Sequence, residues 1–263
     1  MKPKLHVEII GDGETTFVIS CGLSQTTANW RAFARSRSGV QWILFDPRGQ
    51  GRSELGTRPY RLEDHTEDCL RVIERNASGA VHLLGFSHGG RVAMNVAVSY
   101  PERVQTLTLV STAVHATPLR HVLIRSWYEL LKLGGTRALA WGAIPSIIGP
   151  GILKGFKNNP ELLVKGMETR NTDEGLLAML EGMQDYPPAL EDAKRLTCPV
   201  LFLRGEKDPL LDEGDDQLIK AHTPHAIVRT FPRCGHTLAL EKPDTFWETV
   251  QAFVAESIGE NLY

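Results

Sequence analysis

The chain has 263 residues, 42% of them hydrophobic and 23% charged, with a formal net charge of −2 at neutral pH. That supplies a sizeable core for one large or two small domains. The near-neutral balance argues against nucleic acid or an anionic membrane surface as a partner. Residues 1–7 lack the apolar core of a secretory signal. The longest uncharged stretch, 138–153, is interrupted by Gly142, Pro145, Gly149, Pro150 and Gly151, and is too short to span a bilayer as a helix. Cys21, Cys69, Cys198 and Cys234 show no C-x-x-C spacing, so a reducing cytoplasm is the expected setting. Residues 260–263 read as a protease-site tag remnant and are set aside.

Residues 5–10 and 15–20 read as two strands joined through Gly11-Asp12-Gly13, a hairpin signal. Residues 26–36 suit a helix with Trp30 and Phe33 on one face, and 41–45 suit the next strand. That strand feeds Asp46-Pro47-Arg48-Gly49-Gln50-Gly51-Arg52-Ser53, a Gly-rich exit whose Arg48 and Asp46 are expected to brace neighbouring loops. No G-K-[ST] follows these glycines, so they are not a phosphate cradle of the P-loop kind. Residues 62–76 have the pattern of an amphipathic helix.

The stretch 80–100 carries the chemistry. The apolar run 81–84 stops at Gly85, and Ser87 follows in Gly85-Phe86-Ser87-His88-Gly89-Gly90. From Arg91 the apolar period becomes helical, with Val92, Ala93, Val96, Ala97 and Tyr100 on one stripe. A strand, a tight turn and a helix with one serine at the corner form the G-x-S-x-G nucleophile elbow. Side chains at Gly85 and Gly89 would collide where strand and helix cross. The competing reading is a Ser87 that merely caps a helix.

With this motif the sequence resembles the α/β-hydrolase fold family, in its serine esterase and enol-lactonase-like branch. The resemblance covers residues 5–258, and it implies a mostly parallel sheet flanked by helices with a helical cap. The D-x-R-G-x-G-x-S loop at 46–53 is common in that family. The strand at 15–20 corresponds to one that usually ends in His-Gly; here Cys21-Gly22 stands in its place. Carried over, the oxyanion hole consists of the Leu23 and His88 backbone N–H groups. The Cys21 departure leaves open how the loop that carries Leu23 is braced.

Residues 105–110 give a further strand, and strands alternating with helices through this half imply a parallel sheet covered on both faces. From 114 to 196 the strand rhythm disappears, and large apolar residues punctuated by Gly134-Gly135, Pro145 and Pro187-Pro188 indicate helices. The resemblance makes 114–196 the cap, with 1–113 and 197–259 as the core domain. Trp127, Trp141 and Phe156 are the expected pocket residues of this cap. The sheet resumes at 198–203, and Asp208 in the following turn matches the family's acid, with Asp212 and Glu206 as nearby decoys. After the last strand, 226–231, His236 in Gly235-His236 matches the catalytic histidine, and 245–258 closes the fold as a helix. The order Ser87, Asp208, His236 is that of the resembled family.

The implied activity is a serine hydrolase acting on a carboxylic ester, lactone or thioester of a small, partly hydrophobic molecule. No metal or organic cofactor is called for. A carboxylate-nucleophile branch is disfavoured by Ser87. A C–C hydrolase, a peptidase, a lyase, a cofactor-free oxygenase or a ligand-binding receptor on the same fold stays open.

Overall fold

The computed structural model of the protein describes residues 2–156 and 159–259. Residues 260–263, read as a tag remnant, lie outside the described residues.

The first half of the chain runs β1 (Val7–Ile10), β2 (Thr15–Ser20), α1 (Thr27–Arg35), β3 (Val40–Phe45), α2 (Leu62–Asn76), β4 (Val81–Phe86), α3 (His88–Ser99) and β5 (Val104–Val110). An insertion follows: α4 (Pro118–Ile147), α5 (Pro150–Gly155), α6 (Glu161–Arg170), α7 (Asp173–Met183) and α8 (Ala189–Ala193). The chain then returns through β6 (Val200–Gly205), α9 (Glu213–His222), β7 (Ile227–Phe231), α10 (Leu238–Glu241) and α11 (Pro243–Ile258).

The strands form one seven-stranded sheet in the order β1-β3-β2-β4-β5-β6-β7, with β1 antiparallel and every other pair parallel. The expected hairpin does not form. β1 and β2 do not pair, because β3 lies between them, Val7 opposite Phe45 and Thr15 opposite Val40. Gly11-Asp12-Gly13 is a crossing over the entry to β3. A Cβ at Gly11 or Gly13 would run into the carbonyls of Val40 and Gly39, so this link needs glycine for passage rather than for a two-residue turn. The apolar run Phe17–Ile19 is buried on both faces and takes an interior place, while the half-exposed β1 is left at the edge.

Alternation along the strands splits the core in two. Val18, Ile43, Phe45 and Leu83 pack against α2, α3, α8 and α9. Phe17, Ile19, Trp42 and Leu44 pack on the other face against α1 and α11, with Phe17, Trp42 and Trp247 in mutual ring contact at 4.9–5.3 Å.

The insertion has a core of its own, built from Trp127, Leu131, Leu139, Val164, Leu176 and their neighbours. Helix α4 is broken at Gly134-Gly135, where Gly135 takes φ 65°. Asp173 Oδ1 then accepts from Thr136 N at 2.7 Å and from Thr136 Oγ1 at 2.6 Å, restarting the helix. The insertion is tied to the sheet at several points, among them these. A buried pair joins Arg120 on α4 to Asp215 on α9. Gly51 N donates to Arg170 O at 2.9 Å. Helix α7 lies directly on the loop after β3, because Gly175 and Gly182, two turns apart, leave room for the Gly49 and Tyr60 carbonyls.

Gly182→Ala should therefore lower stability by about 1–3 kcal/mol, the cost of forcing a methyl into packed backbone. Gly155→Ala, where a Cβ meets nothing within 4 Å, should stay within about 0.5 kcal/mol. Urea midpoints of the two variants measure the difference, and equal midpoints would contradict the close docking of α7.

Candidate active site

Ser87 follows the last residue of β4 and precedes α3 with φ 52° and ψ −118°, outside the ordinary regions for a residue bearing a Cβ. The strain is held from both sides. Ser87 N donates to Val110 O on β5 at 2.8 Å, and Gly90 N donates to Ser87 O at 2.9 Å. A Cβ at Gly85 would stand 2.5 Å from Gly90 Cα; one at Gly89 would strike the Ser20 carbonyl, and one at Gly90 would strike Thr112 Oγ1. Ser87 Oγ makes no capping bond to α3, so the cap reading of this residue does not hold.

His236 Nδ1 and Asp208 Oδ2 lie 2.8 Å apart, both side chains buried. The remaining Asp208 oxygen accepts from Leu210 N at 2.9 Å. Lys207 N donates to Cys234 O at 2.7 Å, which ties the turn after β6 to the turn after β7. Ser111, at φ 50°, donates through Oγ to His236 O at 2.7 Å. Phe86 stands edge-on to the imidazole, with ring centres 5.2 Å apart. Asp212 instead caps α9 through Gly214 N at 2.8 Å, and Glu206 is exposed and accepts from Arg233 N. Neither decoy reaches His236.

Ser87 and His236 line the same cavity of about 510 Å³. No hydrogen bond joins Ser87 Oγ to His236 Nε2 in this structure, and such bonds commonly tighten only when substrate is bound. The Leu23 turn and the start of α3 complete the corner. Gly22 N donates to Gln25 Oε1 at 3.4 Å and Ser24 N to Gln50 Oε1 at 2.5 Å. Between them, Leu23 N–H has no acceptor among the described residues, and His88 N–H, the first of α3, has none within its helix.

The bracing left open by Cys21 comes from two glutamines. Gln50 also donates through Nε2 to Gly22 O at 3.4 Å and Gln25 O at 3.3 Å, while Gln25 Oε1 accepts from Trp30 Nε1 at 3.1 Å. Cys21 is buried, and burial pushes its thiol well above the usual range. Arg48 and Asp46 brace as expected. Arg48 binds Asp68 Oδ2 at 2.7 Å and Asp64 O at 2.8 Å, and Asp46 accepts from Thr27 N at 2.6 Å and Arg52 N at 2.9 Å.

Of the three expected pocket residues, Trp127 lines the cavity. Trp141 and Phe156 do not. Trp141 is 43% exposed, because the inward face of α4 is the helical stripe of Leu139, Ala143, Ile144 and Ile147, and position 141 falls on the opposite side. Phe156 follows the end of α5, half-buried and outside the cavity lining. Phe33, Phe86, Met167 and Leu210 take their place. The long apolar composition of this segment pointed to a pocket, but aromatic bulk is a poor guide to which helix face turns inward.

An alpha/beta hydrolase family model matches residues 17–249. The chain belongs to that family. Among its relatives is 3-oxoadipate enol-lactonase 2 of Acinetobacter baylyi, 25% identical over 214 residues that cover 80% of this chain and 77% of that enzyme. Another is the pimeloyl-[acyl-carrier protein] methyl ester esterase of Nitrosomonas europaea, 26% identical over 92% of this chain and 96% of that one. Among solved structures, MGS-M2, an alpha/beta hydrolase enzyme from a Medee basin deep-sea metagenome library, superposes with a TM-score of 0.86 at 22% identity, covering 99% and 96% of the two chains. Within the family frame, the seven-stranded sheet is the hydrolase sheet and α4–α8 are its helical insertion. Among the described residues no helix is long and apolar enough to cross a membrane.

Three buried histidines lie outside the cavity: His65 and His88 in ring contact behind Ser87, and His82 at the start of β4 against Phe17 and Thr106. The His88 side chain turns away from the cavity, its Nε2 3.0 Å from Tyr186 Oη and its ring edge-on to His65. Burial, with a smaller push from Arg91, lowers His88 to about 4. Burial lowers His82 to about 4 and His65 well below its usual value. In the unfolded chain each titrates near 6.5. Between about 4 and 6.5 the unfolded state binds more protons at His82 and His88, so their contribution to stability is full above about pH 6.5 and is lost as pH falls toward about 4, by up to roughly 1.4 kcal/mol per pH unit for each; His65 acts in the same direction. His82→Gln, which retains a partner for Thr106 Oγ1, should flatten the fall in unfolding free energy between pH 6.5 and 5. An unchanged slope in urea denaturation would contradict burial of a neutral ring there.

Proposed function

We propose that the protein is a serine hydrolase that cleaves a carboxylic ester, lactone or thioester through an acyl-enzyme on Ser87. The observation that carries this reading is the 2.8 Å contact of His236 Nδ1 with Asp208, on a histidine that shares its cavity with Ser87. With Nδ1–H held by the carboxylate, Nε2 is the basic nitrogen and accepts the Ser87 proton as Oγ attacks the acyl carbon. Asp208 fixes that tautomer and stabilises the imidazolium. The oxyanion develops against the free Leu23 and His88 N–H groups; losing one such donor typically costs about 10²–10³ in turnover. His236 then protonates the leaving oxygen or sulfur and activates the water that releases the acid.

The names of the two relatives, a lactonase and a methyl ester esterase, support this reaction class. Residues 114–196 act in this reading as the cap, their apolar inner face enclosing the carbon chain of a small to medium substrate. The four cysteines, all buried and free, suit a cytoplasmic enzyme.

Ser87→Ala should reduce turnover of 4-nitrophenyl esters by at least about 10³-fold and abolish fluorophosphonate labelling, with an unchanged melting temperature. Asp208→Asn should lower kcat by roughly 10⁴-fold through the wrong tautomer. Undiminished turnover in the Ser87 variant would overturn the assignment.

A further inference from the structure

The cavity that holds Ser87 is lined mostly by apolar side chains, and its charges are nearly all accounted for. Arg37 at one end donates to Asp244 Oδ1 at 2.7 Å, and His236 is held by Asp208. Arg170 is the exception. It lines the cavity, its Nε is sealed from solvent with no partner, and among the described residues no carboxylate faces its guanidinium. Arg170 is half-buried, and the fully buried arginines each have a counter-charge: Arg48 sits on Asp68, Arg120 on Asp215 and Arg204 on Asp216. Burial pushes the Arg170 guanidinium below its usual value with no neighbouring acid to offset it, whereas the partners of Arg48 push that group up. A partly desolvated cation without a counter-charge carries an uncompensated cost.

The surroundings of Arg170 are built. Leu163, Met167 and Arg170 fall on one face of α6 and all line the cavity. The guanidinium lies back along the helix over Gly166, where a Cβ would stand 3.1 and 3.3 Å from its two terminal nitrogens. The backbone beneath it is clamped. Arg170 O accepts from Gly51 N at 2.9 Å, and Asn171 Nδ2 donates to Ser24 O at 3.1 Å, one residue beyond Leu23. The end of α6 and the Leu23 turn are thus one connected piece, and Arg170, Leu23 and Ser87 line the same cavity.

We propose that Arg170 is a substrate anchor, and that the enzyme's substrates are esters, lactones or thioesters bearing a second, free carboxylate that pairs with this guanidinium. This rests on the serine hydrolase reading. A carboxylate fits better than a phosphate monoester. One planar cationic fork matches one carboxylate in both charge and geometry. A phosphate dianion would need a second cation, and Arg37 is already neutralised by Asp244. The apolar remainder of the wall fits the carbon chain between the two carbonyl groups.

The test compares the 4-nitrophenyl hemiester of glutaric acid with 4-nitrophenyl pentanoate, of matched chain length. The wild type should favour the hemiester by tenfold or more in kcat/KM. Arg170→Gln should reduce that preference at least 30-fold, chiefly through KM, and Arg170→Lys should recover part of it. In parallel, calorimetry with glutarate on the Ser87→Ala protein should show binding that the Ser87→Ala/Arg170→Gln protein lacks, with far-UV circular dichroism and melting temperature confirming that each variant is folded. A hemiester preference and glutarate affinity indifferent to Arg170, in an enzyme that still turns over neutral esters through Ser87, would overturn the anchor and leave the hydrolase reading standing. Glutarate binding that depends on Arg170 in a protein without esterase activity would support the anchor and overturn the hydrolase reading.

Discussion

The architecture depends on one steric constraint, the close crossing of β4 and α3 at Ser87. A left-handed conformation at a serine costs of the order of 1–3 kcal/mol and survives only where its surroundings over-determine it. Here Val110 O holds the Ser87 N–H, and Gly85, Gly89 and Gly90 allow α3 to press onto the ends of β2 and β5. The same contacts decide what lies nearby. Gly89 rests on the Ser20 carbonyl, so the Cys21–Ser24 turn has to emerge beside the start of α3. Backbone packing thus sets where the Leu23 turn emerges, and the Gln25 and Gln50 side chains hold it there, so its bracing does not fall to residue 21 and cysteine can stand at that position.

A second layer of order comes from loops bonded to loops. The turns after β6 and β7 are joined by Lys207 N to Cys234 O, and Ser111, itself at positive φ, secures the His236 carbonyl. Asp208 is then fixed by Leu210 N, whose own carbonyl accepts from Arg120 Nε on α4. Arg120 is in turn clamped to Asp215 at the start of α9. A chain of bonds therefore runs from the inserted helices, through the turn bearing Asp208, to the imidazole. Movement of α4 relative to the sheet would be felt at the Asp208–His236 contact.

What the sequence made legible follows from how local each constraint is. The elbow glycines, the helix 62–76 and the turns carrying Asp208 and His236 are set by residues within about six positions of one another, and periodicity with turn chemistry suffices to read them. The false hairpin arose because Gly-Asp-Gly between two apolar runs satisfies a local rule, while the pairing of β3 between them is decided by burial of Phe17–Ile19 in the sheet interior. Gln50 was hidden for a related reason. Its bracing of Gly22, Ser24 and Gln25 spans some 25 residues, and nothing in the Asp46–Ser53 motif distinguishes a glutamine that reaches another loop from one that faces water. Trp141 failed at a finer level, since the break at Gly134-Gly135 resets the phase of the helix and with it the side that faces inward.

The coupling between α6 and the Leu23 turn bears on how selectivity would be achieved in such a cavity. An apolar wall discriminates weakly, because one methylene more or less is worth only about 1–3 kcal/mol, whereas an unpaired polar group penalises any substrate that leaves it unpaired. In the proposed site the carboxylate anchor and the oxyanion donors share a single bonded frame through Asn171 and Ser24. Fixing one end of a substrate on Arg170 would then set the position of its scissile carbonyl relative to Leu23 and His88. The binding energy of the remote charge would be expressed as orientation at the reacting carbon. A helix added outside the sheet can thus tune which esters react without altering the elbow, the acid or the base.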